Sequence, residues 1–231
     1  MTVKVLPIFP LKTVLYPRQA LPLHVFEDRY KHMFEDCVGG DRQVGIVLIF
    51  SGEETNETTV PYPIGTMARI DEWELVEQGR YRAKTVGIQR FQIVEFLENQ
   101  KPYLTAAVEY WNDEPVASFD AAELSTELSR EYSDYLSLIV LLSDHALPAR
   151  KFQLPSDPTE ASYHIASNLE IEMTEKQRLL EEPSAIDRLQ RELVLVRRER
   201  DFLQRLVSLQ GVFANDDSDW RWSHGISDRL A

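Results

Sequence analysis

The residue types in this 231-residue chain that could do chemistry are few, and their spacing argues against most of the chemistry they suggest. Gly40 and Gly45 have the glycine spacing of a phosphate-binding loop. Ile46 and Val47, however, stand where a lysine must neutralise phosphate and a serine or threonine must hold magnesium. The histidines, at 24, 32, 145, 164 and 224, include no i, i+4 pair that could ligate zinc from one helix face, and there is no G-x-S-x-G nucleophile elbow. His24, Glu27, His32 and Cys37 are metal-ligating types in one short stretch, but they divide between a strand end and different faces of a helix. Packing and surface roles are expected of them. Cys37 continues the apolar stripe of that helix and reads as a buried thiol rather than a nucleophile. Glu109 and Glu114 could pose as an acid/base dyad, yet with 38 acidic residues such pairs arise by chance. No catalytic residue, metal site or cofactor is expected.

Two basic groups remain. Arg80, Arg82, Lys84 and Arg90 lie on two neighbouring strand-like runs with Tyr81 and Phe91 interleaved, and alternation puts Arg80, Arg82 and Lys84 on one side. This resembles a nucleic-acid face; the plainer reading is a solvated sheet surface. Arg197, Arg198 and Arg200 alternate with Glu199 and Asp201, as on a solvent face carrying i, i+4 pairs.

Over the whole chain, 38 Asp+Glu against 25 Lys+Arg give a net charge of -13. Residues 1–115 carry 12 basic and 17 acidic side chains and residues 116–231 carry 13 and 21, so neither half is a basic module. That counts against nucleic acid as the main partner. The longest apolar run, residues 138–142, is far short of the ~20 residues that cross a bilayer, and Pro7 and Pro10 interrupt the short apolar start where a signal peptide would need continuity. With its single cysteine the chain can form no internal disulfide, which fits a reducing cytoplasm.

The elements that must position any site fall into two halves. Strand-like runs occur at residues 3–9, 20–25, 44–50, 65–77, 80–88, 89–98 and 103–111, with a hairpin expected at Glu77-Gln78-Gly79-Arg80 and an exposed acidic loop at 51–59. Phe26, Tyr30, Met33 and Cys37 share one face of an inserted helix that Gly39-Gly40 ends. This is an antiparallel barrel or sandwich. Beyond about residue 115 the period becomes helical. Starts are expected at Asp120, at Asp157-Pro158-Thr159-Glu160, at a Thr174-x-x-Gln177 capping box and at Ser184, with Gly211 as the last C-cap. The predicted organisation is α+β: strands over 1–115, a helical bundle over 116–212 and a disordered acidic tail over 213–231 that carries Trp220 and Trp222.

Several motifs then resemble a known family. Leu6-Pro7-Ile8-Phe9-Pro10-Leu11, Val14-Leu15-Tyr16-Pro17 and Leu21-Pro22-Leu23-His24-Val25-Phe26-Glu27-Asp28-Arg29-Tyr30 look like the opening of the Lon protease N-terminal, substrate-binding domain. Ile64-Gly65-Thr66-Met67-Ala68-Arg69-Ile70, Gly79-Arg80-Tyr81, Gly87-Ile88-Gln89-Arg90-Phe91-Gln92-Ile93, Pro102-Tyr103-Leu104-Thr105-Ala106 and Lys176-Gln177-Arg178-Leu179-Leu180-Glu181 follow in order. Arg18 departs from the pattern, since the family often has glycine after the Tyr-Pro pair. The resemblance implies a PUA-like antiparallel β-barrel with one inserted helix, followed by an α-helical bundle, that recognises protein substrates. In the full protease an ATPase and a Ser-Lys peptidase follow, for which 231 residues leave no room. A non-catalytic protein is therefore expected, holding an unfolded polypeptide, a degron or a protease partner, as in a quality-control adaptor. An RNA-binding PUA-like module is the alternative. The proline-rich loop is the candidate contact: Tyr16 and Pro17 as an apolar anchor and Arg18 as a polar rim, unless Tyr16 simply closes the bottom of the barrel.

Overall fold

A computed structural model describes residues 3–52, 59–98, 100–116, 121–142 and 154–222, with side chains to residue 209. The first part holds β1 (Lys4–Leu11), β2 (Ala20–Val25), α1 (Asp28–Gly39), β3 (Gln43–Ser51), β4 (Val60–Pro61), β5 (Ile64–Val76), β6 (Arg80–Phe96) and β7 (Thr105–Tyr110). The second holds α2 (Ala122–Leu142), α3 (Pro158–Asn168), α4 (Met173–Glu181) and α5 (Ala185–Trp222).

The seven strands form one sheet in the order β1-β7-β6-β5-β3-β4, and a further pairing of β1 with β3 returns the path to its start; β2 pairs with β6. That β1–β3 pairing is parallel, Ile8 opposite Gly45 and Leu11 opposite Leu48, so the sheet is mixed rather than purely antiparallel as expected. A parallel pair needs a crossover, and β2 with α1 supplies it. The expected hairpin is present, with Gln78 and Gly79 both at positive φ between β5 and β6.

The runs expected at 80–88 and 89–98 are a single strand, β6. On it Met67 faces Gln89 but Ala68 faces Gly87, so the register shifts at Ile88. A bulge exchanges the two faces of a strand, which makes one strand look like two to a period-2 reading. The two-residue β4 carries too little pattern to be read at all. Phe26 is not on the helix face; it precedes α1 and is exposed, whereas Tyr30, Met33, Phe34 and Cys37 are the buried side of α1. They close one core with Leu23, Val25, Val44, Ile46, Ala68, Ile70 and Ala83. A second core of Leu6, Ile8, Val47, Met67, Phe91, Ala106 and Val108 lies within the cycle of strands.

Among the helices, α3 starts as the sequence indicates: the Asp157 carboxylate accepts the Glu160 N–H at 2.8 Å and Pro158 takes the first turn. Ser184 Oγ accepts from Asp187 N at the head of α5. Asp120 lies outside the described residues, as do residues 53–58 of the acidic loop. The Thr174 capping box does not form, because α4 already begins at Met173 and Gln177 is used elsewhere. Gly211 does not end α5, which continues to Trp222; of the expected tail, residues 223–231 lie outside the described part. Leu128, Tyr132 and Tyr135 of α2 pack with Leu189, Leu193 and Val196 of α5 and with Ile165 and Leu169. No helix among the described residues is long and apolar enough to cross a membrane.

Candidate functional site

The loop of residues 12–19 between β1 and β2 is fastened to the sheet. Thr66 Oγ1 donates to the Leu15 carbonyl at 2.6 Å, Arg18 N donates to Gly87 O at 2.7 Å, and Gly87 N donates to Gln19 O at 2.9 Å. A Cβ at Gly87 would stand 2.2 Å from the Tyr16 carbonyl oxygen, so only glycine permits this approach.

Tyr16 is buried completely. Its ring centroid is 6.1 Å from that of Tyr163 on α3, and its hydroxyl donates to the Lys176 carbonyl of α4 at 2.7 Å. Burial raises its phenol well above the ordinary value of 10.0. Tyr16 thus closes the sheet against the helices, and the expected apolar anchor does not face solvent. Pro17 is half-buried and Arg18 exposed. Arg18 has φ of 67°, a left-handed conformation that costs a non-glycine residue about 1 kcal/mol and explains why glycine suits this place in the family pattern. Its own N–H bond to Gly87 O and the return bond from Gly87 N to Gln19 O hold it there.

Pro17 and Arg18 form one wall of a groove of about 460 Å³ whose other wall is α3 with Pro155. Arg18 Nη2 reaches across to Glu160 at 2.5 Å, and Gln19, His164, Ser167 and Asn168 complete the polar lining. Burial pushes the His164 imidazole below its ordinary 6.5, so it is neutral near pH 7. The groove therefore offers a carboxylate, a guanidinium and neutral hydrogen-bonding side chains between proline walls.

Beneath it lies a buried polar junction. Arg90 of β6, 1% exposed, donates through Nη1 to the carbonyls of Leu180 (2.5 Å) and Glu182 (2.9 Å) and through Nη2 to Asp113 (2.9 Å). Arg188 of α5 donates to Ser162 Oγ (2.7 Å), the Glu182 carbonyl (2.6 Å) and the same Asp113 (2.8 Å). Tyr163 Oη donates to Asp113 as well, with both guanidinium groups over its ring at 4.2 and 5.6 Å. Trp111 Nε1 donates to the Glu181 carbonyl at 3.1 Å, and Gln177 Nε2 to Ile64 O at 3.0 Å. The carbonyls at the C-terminal end of α4 have no partners within that helix, and side chains of the strand half supply them.

The other sequence candidates are dispersed. Arg90 is removed from the basic cluster by its burial. Of the rest, Lys84 pairs with Glu72 at 2.6 Å, Arg82 approaches Glu74 at 3.8 Å, and Arg80 Nε donates to the Glu77 carbonyl. The sheet face is charge-compensated. Cys37 is buried and its thiol is pushed up to about 12, which removes the thiolate that a nucleophile needs. No group of three metal-ligating residues assembles among the described residues, His24, Glu27, His32 and Cys37 included. Glu109 ends on β7, while Glu114 follows it with its N–H on the Pro183 carbonyl. Arg197, Arg198 and Arg200 pair not only along α5 but across it, with Glu127, Glu175 and Glu131. Residues that sequence reasoning missed are Asp113, Glu160, Ser162 and Arg188. The signals near them were the helix starts at Asp157–Glu160 and Ser184, together with the Gly87–Ile93 and Lys176–Glu181 motifs, which contribute Gly87, Arg90, Gln177 and Leu180 to the loop anchor and the junction.

This arrangement of sheet and helices is shared with solved structures. A Lon N-terminal domain protein from Xanthomonas campestris superposes with a TM-score of 0.61 over 83% of this chain and 98% of that one, at 24% identity. The N-terminal domain of Lon protease from the Mycobacterium avium complex gives 0.60, at 16% identity. In sequence, the family model of the ATP-dependent protease La (LON) substrate-binding domain matches residues 5–198, and the chain belongs to that family. It is 28% identical over 215 residues to the Lon protease of Dictyoglomus thermophilum, which covers 92% of this chain but 27% of that protein. It is 30% identical over 212 residues to the Lon protease of Trichlorobacter lovleyi, covering 90% and 25%. The chain spans about a quarter of the length of these curated relatives.

Proposed function

We propose that this chain recognises polypeptide segments or a protein partner without peptide-bond chemistry of its own, as an adaptor in protein quality control. The segment lies in the groove between the loop at Pro17-Arg18 and α3. The observation that carries this reading is the groove itself. Both signs of charge and a set of neutral hydrogen-bonding side chains face each other there at a position held by a strained Arg18, and this suits the alternating donors and acceptors of an extended main chain. Membership of the Lon substrate-binding family supports a polypeptide as the ligand class, and the closed path of strand pairings supports reading the strand half as a PUA-like barrel.

The test is anisotropy titration of a fluorescently labelled, permanently unfolded polypeptide. Wild type should bind, and Arg18→Glu, which sets two carboxylates against each other across the groove, should weaken binding about tenfold with an unchanged unfolding midpoint. No binding by wild type, or equal binding by the variant, would remove the groove as the site.

A further inference from the structure

Glu192 of α5 belongs neither to the groove nor to the hydrogen bonds of the junction. It is completely buried, and neither carboxyl oxygen has a hydrogen-bond partner among the protein groups. The titratable and charged groups facing it come from three elements: Arg188 on its own helix, Tyr16 on the loop of residues 12–19, and Tyr132 on α2. None of these groups donates a hydrogen bond to Glu192. Arg188 spends its guanidinium on Ser162, Glu182 and Asp113, and Tyr16 gives its proton to the Lys176 carbonyl.

The charge inventory of the junction does not require Glu192 to be an anion. Arg90 and Arg188 bond one carboxylate, Asp113, and Arg90 also feels that of Glu182, which Arg191 pairs; both guanidinium groups sit as well on the C-terminal carbonyls of α4, where the helix dipole carries partial negative charge. We propose that Glu192 is a proton-linked brace: the folded protein holds it as the neutral acid, and its ionisation as the pH rises loosens α5 from α2 and from the loop that carries Pro17 and Arg18. An ionised carboxylate in this place would have no protein donor to solvate it, and burial outweighs the pull of Arg188, raising the group well above its ordinary 4.5.

The direction of the pH dependence follows. The folded-state value is above the unfolded one, so the contribution of Glu192 to stability is complete below the unfolded value and is lost as pH rises toward the folded value. Asp113 and the other paired carboxylates act in the opposite sense at acid pH, so the comparison must be made against a variant that keeps them. In Glu192→Gln the shape is preserved and the proton is not.

Urea unfolding of the full chain, wild type against E192Q, over about pH 5 to about pH 8 should show the wild-type folding constant falling relative to E192Q by about tenfold per pH unit above the ordinary glutamate range. Carboxyl ¹³C NMR of the wild type should show one glutamic acid that titrates well above the ordinary glutamate range and is missing from E192Q. Amide exchange of Tyr16, Arg18 and Gln19, normalised to intrinsic rates, should accelerate at the alkaline end in wild type but not in E192Q. A flat wild-type-to-E192Q ratio, or every glutamate titrating in the ordinary range, overturns the proposal. If E192Q does not fold, the wild-type NMR titration alone decides it. None of these readouts involves ligand binding, so their failure is separable from failure of the groove reading.

Discussion

Arginine and lysine occur both on the outer face of β6 and at the junction between sheet and helices, and the two places treat them in opposite ways. On the outer face Lys84 is 73% and Arg82 61% exposed, each beside a glutamate on β5. Water already solvates these charges, so their pairing changes little on folding. At the junction Arg90 and Arg188 are 1% and 0% exposed; the terminal nitrogens of both donate to peptide carbonyls and a shared Asp113, Arg188 Nε donates to Ser162, and only Arg90 Nε is left without a partner among the protein groups. Here the hydrogen bonds are obligatory, because a buried donor left without a partner pays its full desolvation penalty. Exposure, rather than residue type or formal charge, decides whether a basic residue holds this fold together.

The largest effect expected from breaking this contrast is at Arg188. Arg188→Ala removes donors from Asp113, Ser162 and the Glu182 carbonyl while leaving Arg90 buried beside a half-buried Asp113, and should cost about 3–5 kcal/mol in urea unfolding. A loss below about 1 kcal/mol would place the junction in the same class as the surface pairs. An intermediate effect is expected for Tyr16→Phe. It keeps the ring against Tyr163 but leaves the Lys176 carbonyl without its donor, at about 1–2 kcal/mol. Smallest is Lys84→Ala, which should leave the unfolding midpoint in place; a clear shift would show that the outer face is more than a compensated surface.

The elements themselves were largely legible. Alternation located β1, β2, β3, β5 and β7 to within a few residues, and the Asp157-Pro158 start and the Gly39-Gly40 stop stand where local rules put them. The misreadings have identifiable causes. Ile88 looked like a boundary because a bulge inverts the pattern there. Gln177 looked like a cap because its spacing from Thr174 is right, yet its amide crosses 113 residues to Ile64 O. Arg90 looked like a member of a basic face because its type and neighbours resemble those of Arg80 and Arg82. For the candidate groove, the sequence indicated Pro17 and Arg18 but not α3 with Glu160, and for Tyr16 it offered an exposed anchor beside the plainer reading of a residue that closes the bottom of the barrel.

By itself the sequence determined the two halves, the faces of most strands and of α1, and the family, because periodicity, capping and ordered motifs are properties of neighbouring residues. Only the tertiary structure decided which charges are buried, that Tyr16 closes the sheet against the helices, that one carboxylate serves two arginines, and that Glu192 faces the interior without a partner. Those outcomes depend on what lies across a packed interface from residues tens to more than a hundred positions away. A buried charge takes its energy from that surrounding, which no local pattern records.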